Sequence, residues 1–213
     1  TIQSPDFHKL GDILGMPFDR STAQIMEEGL VPLSMKEGNR YLELINRAKM
    51  RCVSLEYEYN DRADYDLHWS MVKRVDQVYA KYKSDMGKYD FVDMVDLFVQ
   101  QGTGPALEIL IVDEAQDLTP LQWKQVAILK ERAAKVWYAG DDDQCIHRWN
   151  GVDLHSFMNA CDNKVILNKS YRVPGEVFGL ANELVNRIHV RQEKDWSPRD
   201  AEGSVNFHMN WYD

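Results

Sequence analysis

The chain is 213 residues long, which is enough for one large domain or two small ones. Hydrophobic residues make up 44% of it and charged residues 28%, which is ordinary for a globular protein and excludes wholesale disorder. Lysine and arginine number 25 against 34 acidic residues, and the net charge of −9 excludes a polybasic protein that holds nucleic acid by bulk charge, though not a local binding groove. No apolar run approaches the roughly 20 residues that a membrane-spanning helix needs.

The cysteines and histidines do not form a metal-binding or disulfide pattern. Cys52, Cys145 and Cys161 are odd in number and lack C-x-x-C spacing, and the six histidines form no HExxH motif. We therefore expect small buried thiols in a reducing cytosol, with neither a disulfide framework nor a structural metal.

Residues 1–106 have the pattern of a helical region. Apolar residues recur at steps of three and four, which predicts helices with one apolar face. One stripe contains Leu67, Met71, Val75, Val78, Tyr82 and Met86, a second contains Tyr41, Leu44, Ile45 and Ala48, and a third contains Phe91, Met94, Val95 and Phe98. An acidic stretch between them holds Glu56, Glu58, Asp61, Asp64 and Asp66. It is either a protein-docking patch or a solvated face or loop, and the solvated face or loop is the favoured interpretation.

The second half alternates predicted strands with predicted helices. Residues 109–112 form a continuous aliphatic run, which is typical of a strand buried on both faces. A capping box at Thr119 and Gln122, with Pro120 in the first turn, predicts a helix that continues to about residue 134. Further strands are predicted at 136–139, 165–167 and 203–209, a short helix at 154–160, and a helix opened by Pro174. This alternation indicates parallel strands joined by crossover helices.

Polar clusters follow three of the predicted strands. They are residues 113–117 (DEAQD), 140–144 (GDDDQ) and 170–172 (SYR). Because ligands of parallel α/β sheets bind outside the carboxyl ends of the strands, we expect these clusters to converge where a nucleotide would lie.

The first cluster suits phosphate chemistry. Asp113, at the tip of an apolar strand, is placed to hold Mg²⁺, and Glu114 can accept a proton from a water that attacks a γ-phosphate. The alternative is a pair of solvent-facing acids at a strand end, and the flanking residues favour the functional interpretation.

These motifs resemble those of superfamily 1A DNA helicases of the UvrD/Rep type. Residues 113–117 resemble the family's Walker B motif, residues 140–151 (GDDDQCIHRWNG) its motif III (GDxDQSIYxWRG), and residues 168–172 (NKSYR) its motif IV (QNYRS). Residues 89–94 (YDFVDM) are similar to the IDFxDL segment before Walker B, and residues 1–4 (TIQS) to the TFHS segment that opens the helical insertion. The motifs follow the family's order over nearly the whole chain.

The resemblance implies a role for several residues. Asp113 would coordinate Mg²⁺, Glu114 would be the general base, Gln144 would sense the γ-phosphate of ATP, and Arg172 would be an arginine finger. The acidic triplet of residues 141–143 would shape a loop in this family, and a metal nuclease is the disfavoured alternative.

Three further residues would form a DNA contact. Trp149 would stack on a base of single-stranded DNA, although a tryptophan without this motif is more often core. His147 replaces the family's tyrosine and would stack or contact phosphate more weakly. Arg148 is either a phosphate contact or a surface charge.

The chain departs from the family pattern in three ways. Asn150 stands where the family has arginine, and Gln3 stands where it has histidine. No G-x-x-x-x-G-K-[ST] phosphate-binding loop occurs in the sequence, and the family places that loop before the segment matching residues 1–4. We therefore expect a fragment that binds ATP poorly on its own and whose sheet, lacking a strand, exposes apolar surface and an unpaired edge.

The fold class expected is α/β, with a partial RecA-like parallel sheet of a P-loop NTPase motor domain and an α-helical insertion. The expected units are the insertion at 1–106, the second half of the first motor domain at 107–163, and the start of the second at 164–213. The resemblance implies an ATP- and Mg²⁺-dependent cytoplasmic helicase that moves 3′ to 5′ on DNA. Its expected partners are single-stranded or duplex DNA and the remaining helicase segments, and no membrane. The alternative is a non-catalytic relic that binds DNA or a partner.

Overall fold

The computed structural model describes residues 1–18, 37–61, 66–146 and 151–207. In this part of the chain the first half is helical and a small parallel sheet follows. The helices of the first half are α1 (Ser4–Leu14), α2 (Glu37–Met50), α3 (Leu55–Asp61), α4 (Trp69–Met86) and α5 (Phe91–Gln101). The remaining elements are β1 (Leu107–Val112), α6 (Pro120–Lys130), β2 (Ala133–Tyr138), α7 (Leu154–Met158) and α8 (Gly175–Val185), with 3-10 turns at Ala115–Asp117 and Asp142–Gln144.

Helices α1, α2 and α4 pack around one apolar core. The three predicted helices are confirmed as α2, α4 and α5, and the apolar stripes of α2 and α4 pack against each other and against α1. Leu44, Val72 and Val75 are fully buried at the centre of this core. Burial of such side chains stabilises a fold by about 1.5–3 kcal/mol each, so amphipathic periodicity accounts for the packing of α1, α2 and α4.

The acidic stretch between α2 and α4 follows the expectation of a solvated face with one exception. Glu56 and Asp61 of α3 are exposed, as is Asp66 after it, but Glu58 of α3 is fully buried. Arg47 Nε lies 2.5 Å from Glu58 Oε1, and Arg51 Nη1 lies 2.5 Å from Glu58 Oε2. Two guanidinium groups, one from α2 and one from the turn directly after it, therefore neutralise a carboxylate that could not otherwise be buried. Asp64 lies outside the described residues.

Asp6 of α1 joins α1 to the end of α4. Its buried carboxylate accepts hydrogen bonds from the Tyr82 hydroxyl at 2.8 Å and from Lys88 Nζ at 2.7 and 2.8 Å. The Gln3 N–H donates to the same carboxylate at 2.7 Å. Burial alone would raise the pKa of Asp6, but these donors outweigh it and lower the pKa to about 2.

We expect the Asp6 carboxylate to make the stability of the chain acid-sensitive. A depressed folded-state pKa contributes stability above the unfolded pKa of about 4, and this stability is lost as the pH falls toward the folded value of about 2. Asp6→Asn should therefore unfold at a lower urea concentration than the native sequence at pH 7. The difference between the two unfolding midpoints should shrink as the pH falls from 4 to 2. Asp12→Asn, which changes an exposed acid on the same helix, should show no such convergence.

β1 and β2 pair in parallel through the crossover helix α6. The register places Ile109 opposite Lys135 and Val112 opposite Tyr138. Thr119 and Gln122 form the predicted capping box at the start of α6. The helix ends at Lys130 rather than near residue 134, because β2 already begins at Ala133.

The sheet is covered on one face, so the expectation that β1 is buried on both faces is wrong. Side chains of a strand alternate between faces, and Val112 of β1 packs with Val126 of α6 and Tyr138 of β2 on the covered face. On the other face Ile111 is 69% exposed and Trp137 is 63% exposed. The exposed apolar surface expected for an incomplete sheet is therefore present.

The strand predicted at 165–167 is absent. Val165 and Leu167 are 87% and 86% exposed, and residues 165–167 belong to no helix or strand. A strand is stable only where a neighbour pairs its backbone, and in this described segment the pairing is reduced to one parallel bridge between Lys169 and Ser197. Residues 203–207 also form no strand, and residues 208 and 209 lie outside the description. The described fold is thus mixed α/β with a two-stranded parallel sheet.

The cysteines only partly follow the expectation of buried thiols. Cys145 is buried, whereas Cys52 and Cys161 are exposed. Cys52 lies in the turn after α2 with a positive φ of 56°, and turns of this kind lie at the surface.

None of the helices in the described part of the chain is both long enough and apolar enough to cross a membrane.

Candidate active site

The two polar loops that follow β1 and β2 leave the sheet side by side. The Ala139 N–H donates to Val112 O at 2.8 Å, and the Ala115 N–H donates to Ala139 O at 2.9 Å. These bonds extend the ladder past the ends of both strands and fix the loops against each other. Glu114 adopts a left-handed conformation with φ 48°, which is uncommon outside glycine and concentrates at functional turns.

Gln116 connects the two loops through its side chain. Its carboxamide is almost completely buried, its Nε2 donates to Glu114 Oε2 at 2.7 Å, and its Oε1 accepts from the Asp141 N–H at 3.0 Å. A carboxamide can donate and accept at once, so it can bridge a carboxylate to a backbone N–H. No local sequence pattern predicts this role of Gln116, because its partner Asp141 lies 25 residues away in the chain.

Gly140 is the position at which the loops come closest. A Cβ at residue 140 would lie 2.4 Å from Gln116 Oε1 and 2.9 Å from the Phe157 ring. Any side chain there would displace the buried carboxamide. The glycine at the start of the GDDDQ loop is therefore needed for the contact between the loops.

Gln144 is anchored at the far end of the second loop. Its Nε2 donates to Asp141 Oδ2 at 2.7 Å, while Asp141 Oδ1 accepts from the Asp143 N–H at 3.2 Å. The Gln144 side chain is exposed, so an outside ligand can reach it. Glu114, Gln116, Asp141 and Gln144 thus form one hydrogen-bonded series, which we call the carboxylate–glutamine series.

The acidic triplet Asp141, Asp142 and Asp143 is held by two cations from the segment after α8. Arg191 donates to Asp143 through Nε at 2.8 Å and through Nη2 at 2.9 Å. Lys194 Nζ lies 2.6 Å from Asp142 Oδ1 and 3.0 Å from Asp143 Oδ2, and it also contacts Asp141 Oδ1. We call Arg191 and Lys194 the cation clamp.

The clamp changes the protonation preferences of the groups that it joins. Burial alone would lower the pKa of Lys194, but hydrogen bonds to the three aspartates outweigh it and raise the pKa. Burial alone would raise the pKa of Asp141, but the hydrogen bonds from Lys194 and Gln144 lower it. Lys194 and Asp141 are therefore both charged near neutral pH.

The described residues contain no group of three or more histidines, cysteines or acids placed to hold a metal ion. Asp113 is nevertheless exposed at the tip of β1, and its Oδ1 accepts from the Glu114 N–H at 2.9 Å. An accessible carboxylate at this position suits an ion such as Mg²⁺, which is usually held by one or two carboxylates, substrate phosphates and water.

The third predicted cluster is not joined to the other two. Arg172 is exposed, and its N–H donates to Ser170 Oγ at 3.3 Å. Among the residues described, no hydrogen bond or ion pair connects the Arg172 side chain to Glu114 or Gln144. The structure therefore brings together two of the three sequence clusters.

The predicted DNA contacts His147, Arg148 and Trp149 lie outside the described residues. Gly151, directly after them, is buried with φ 83°. A Cβ on this glycine would lie 2.6 Å from Arg51 Cγ, so Gly151 packs closely against the residue that follows α2.

Comparison with known proteins identifies relatives of this chain. Residues 17–164 match the family model described as the UvrD/REP helicase N-terminal domain. The chain is 27% identical over 144 residues to the ATP-dependent DNA helicase Rep of Buchnera aphidicola, a match that covers 61% of this chain and 21% of that protein. It is 28% identical over 152 residues to the ATP-dependent DNA helicase PcrA of Bacillus subtilis, covering 63% and 21%. It is also 26% identical over 141 residues to DNA helicase II of Haemophilus influenzae, covering 60% and 19%. The match thus spans about one fifth of the length of these relatives.

Proposed function

Because this chain belongs to the UvrD/REP helicase family, we propose that it works within an ATP-dependent DNA helicase. That protein would couple ATP hydrolysis to 3′-to-5′ movement along single-stranded DNA and to duplex unwinding. In this proposal residues 107–163 form part of a RecA-like sheet in the first motor domain, residues 164–213 begin the second, and residues 1–106 are the helical insertion.

The observation that carries the proposal is the carboxylate–glutamine series. It holds Glu114, at the tip of β1, and Gln144, in the neighbouring loop, within one network of short hydrogen bonds. Such a network can report to the general base whether a γ-phosphate is present. Glu114 would accept the proton of the attacking water, and Gln144 would contact the γ-phosphate and orient that water.

Two further residues complete the proposed hydrolysis site. Asp113 would hold Mg²⁺, which neutralises charge on the ATP phosphates when it is bound. Arg172 would place its guanidinium against the transferred phosphoryl group. Because Arg172 is exposed and makes no contact with the series in the described structure, this role requires the two motor domains to close around ATP.

The DNA contact is proposed for the segment that follows the glutamine. Trp149 would stack on a base, and His147 and Arg148 would contact the strand beside it. The segment starts three residues after Gln144. A conformational change at the γ-phosphate therefore has only a short stretch of chain to cross before it reaches the DNA contact.

The exposed face of the sheet also supports a larger assembly. Ile109, Ile111 and Trp137 lie on it, with 53%, 69% and 63% of their surfaces exposed. An apolar sheet face of this kind is normally covered in parallel α/β domains. We propose that the helicase segments carrying the phosphate-binding loop pack there.

The test is ATP hydrolysis by the complete protein that contains this chain, measured with and without single-stranded DNA. We expect turnover that DNA stimulates, and we expect Asp113→Ala to abolish it. Asp85→Ala, which changes an exposed acid paired with Lys81 on α4, is the matched control and should retain activity. A complete protein that binds DNA but does not hydrolyse ATP would contradict the proposal and favour a non-catalytic DNA-binding protein.

A further inference from the structure

The cation clamp connects the segment after α8 to a loop about 50 residues earlier in the chain. Arg191 holds Asp143 through two parallel hydrogen bonds, and the Gln192 N–H donates to Asp142 Oδ2. Lys194 contacts all three aspartates of the loop. Nothing in the proposed roles of Asp113, Glu114, Gln144 and Arg172 accounts for this cluster.

The clamp is enclosed, unlike an ordinary surface ion pair. The side chains of Arg191 and Lys194 are each 15% exposed, and those of Asp142 and Asp143 are 5% and 9% exposed, while that of Asp141, at the edge of the cluster, is 38% exposed. The pair Lys81–Asp85 on α4 is 75% and 57% exposed by comparison. Enclosed, bidentate and charge-assisted contacts fix geometry far better than exposed pairs do.

The clamp reaches the proposed phosphate sensor through one carboxylate. Asp141 Oδ1 contacts Lys194, while Asp141 Oδ2 accepts from Gln144 Nε2 at 2.7 Å. Without Lys194, three adjacent carboxylates would repel one another with only Arg191 to neutralise them. The turn at Asp142–Gln144 would then open, and the anchor of the Gln144 carboxamide would move with it.

We propose that Lys194, supported by Arg191, is a positioning residue that holds Gln144 in place through Asp141. The inference rests on the proposed function, since it assumes that Gln144 contacts the γ-phosphate. In the proposed division at residues 163 and 164, the clamp and the glutamine belong to different motor domains. The position of the second domain then sets the geometry of the sensor in the first.

The test is a double-mutant cycle in the complete protein, read out as DNA-stimulated ATP hydrolysis. The variants are Lys194→Met, Gln144→Ala and the two combined, with Lys81→Met as the exposed-lysine control. We expect Lys194→Met to lower kcat by about 10- to 100-fold, the range for losing one charge-assisted hydrogen bond, here the bond between Gln144 and the γ-phosphate. Lys81→Met should have no effect, and Lys194→Arg should recover most of the rate. In the Gln144→Ala background Lys194→Met should cause no further loss, because both changes disable the same group.

Two results in the cycle would overturn the inference. One is a Lys194→Met variant with wild-type kcat, and the other is a double variant in which the two losses multiply. If Lys194→Met does not fold, Asp143→Asn replaces it, since this change weakens the clamp but keeps the bond between Asp141 and Gln144. Its loss of rate should likewise vanish in the Gln144→Ala background, and an unchanged rate would contradict the inference.

A second measurement does not depend on catalysis. Hydrogen–deuterium exchange of the backbone N–H groups at 141–146 should become faster in Lys194→Met and stay unchanged in Lys81→Met. Equal protection in the wild type and in Lys194→Met would refute the clamp even if the protein hydrolyses no ATP. Conversely, faster exchange in a protein without ATP hydrolysis would support the clamp while refuting the proposed function.

Discussion

Replacing Arg172 with alanine in the complete protein should lower kcat for ATP hydrolysis by about 10³- to 10⁵-fold, the range attributed to an arginine finger. A guanidinium stabilises the charge that builds up on the phosphoryl oxygens in the transition state, and alanine leaves that charge unmatched. Because the stabilisation is strongest in the transition state, kcat should fall much more than KM for ATP rises.

The Arg172 prediction has a conservative variant and a matched control. Arg172→Lys should remain severely impaired, since an ammonium cannot form the same bidentate contact. Arg187→Ala, which removes an exposed arginine just after α8, should keep wild-type activity. An Arg172→Ala variant that hydrolyses ATP within about threefold of the wild type would remove this residue from the mechanism.

Glu114→Gln should lower kcat by about 10²- to 10⁴-fold, the usual contribution of a general base. Glutamine has nearly the same shape, and its carbonyl oxygen can still accept the hydrogen bond that Gln116 donates at 2.7 Å in the native protein. The loop geometry should therefore survive while the ability to accept a proton is lost. ATP binding, measured separately by equilibrium titration, should change little.

Glu131→Gln is the control for this prediction, because Glu131 is an exposed acid at the end of α6. It should leave both binding and turnover unchanged. Turnover of Glu114→Gln close to that of the wild type, with normal ATP binding, would show that another group accepts the proton.

Local sequence patterns predicted the helices whose formation depends on residues close together in the chain. The apolar stripes that include Leu44 and Val75 gave α2 and α4, because a helix repeats every 3.6 residues and needs one apolar face. Thr119 and Gln122 gave the start of α6, because a capping box satisfies backbone N–H groups within four residues. The adjacency of the two loops that carry Glu114 and Gln144 was also predictable, since the carboxyl ends of parallel strands share one edge.

Features that depend on distant partners were missed. Glu58 looked like a surface acid, and only the fold shows that Arg47 and Arg51 allow its burial. Lys194 carried no local signal, because its partners lie about 50 residues earlier.

The sheet shows the same limit on prediction. Residues 165–167 have the composition of a strand, but a strand also needs a neighbour, and the described structure provides no more than the bridge at Lys169. Ile111 likewise belongs to an aliphatic run that is typical of a strand buried on both faces. Its burial nevertheless depends on whether another element covers the second face of the sheet.

The most direct test of this mechanism is a structure of the complete protein with Mg²⁺ and a non-hydrolysable ATP analogue. The mechanism predicts that Asp113, Gln144 and the Arg172 guanidinium all face one triphosphate, with Glu114 beside the γ-phosphate. A structure in which the nucleotide is bound and the domains are closed, but Arg172 or Gln144 faces a separate surface, would contradict it.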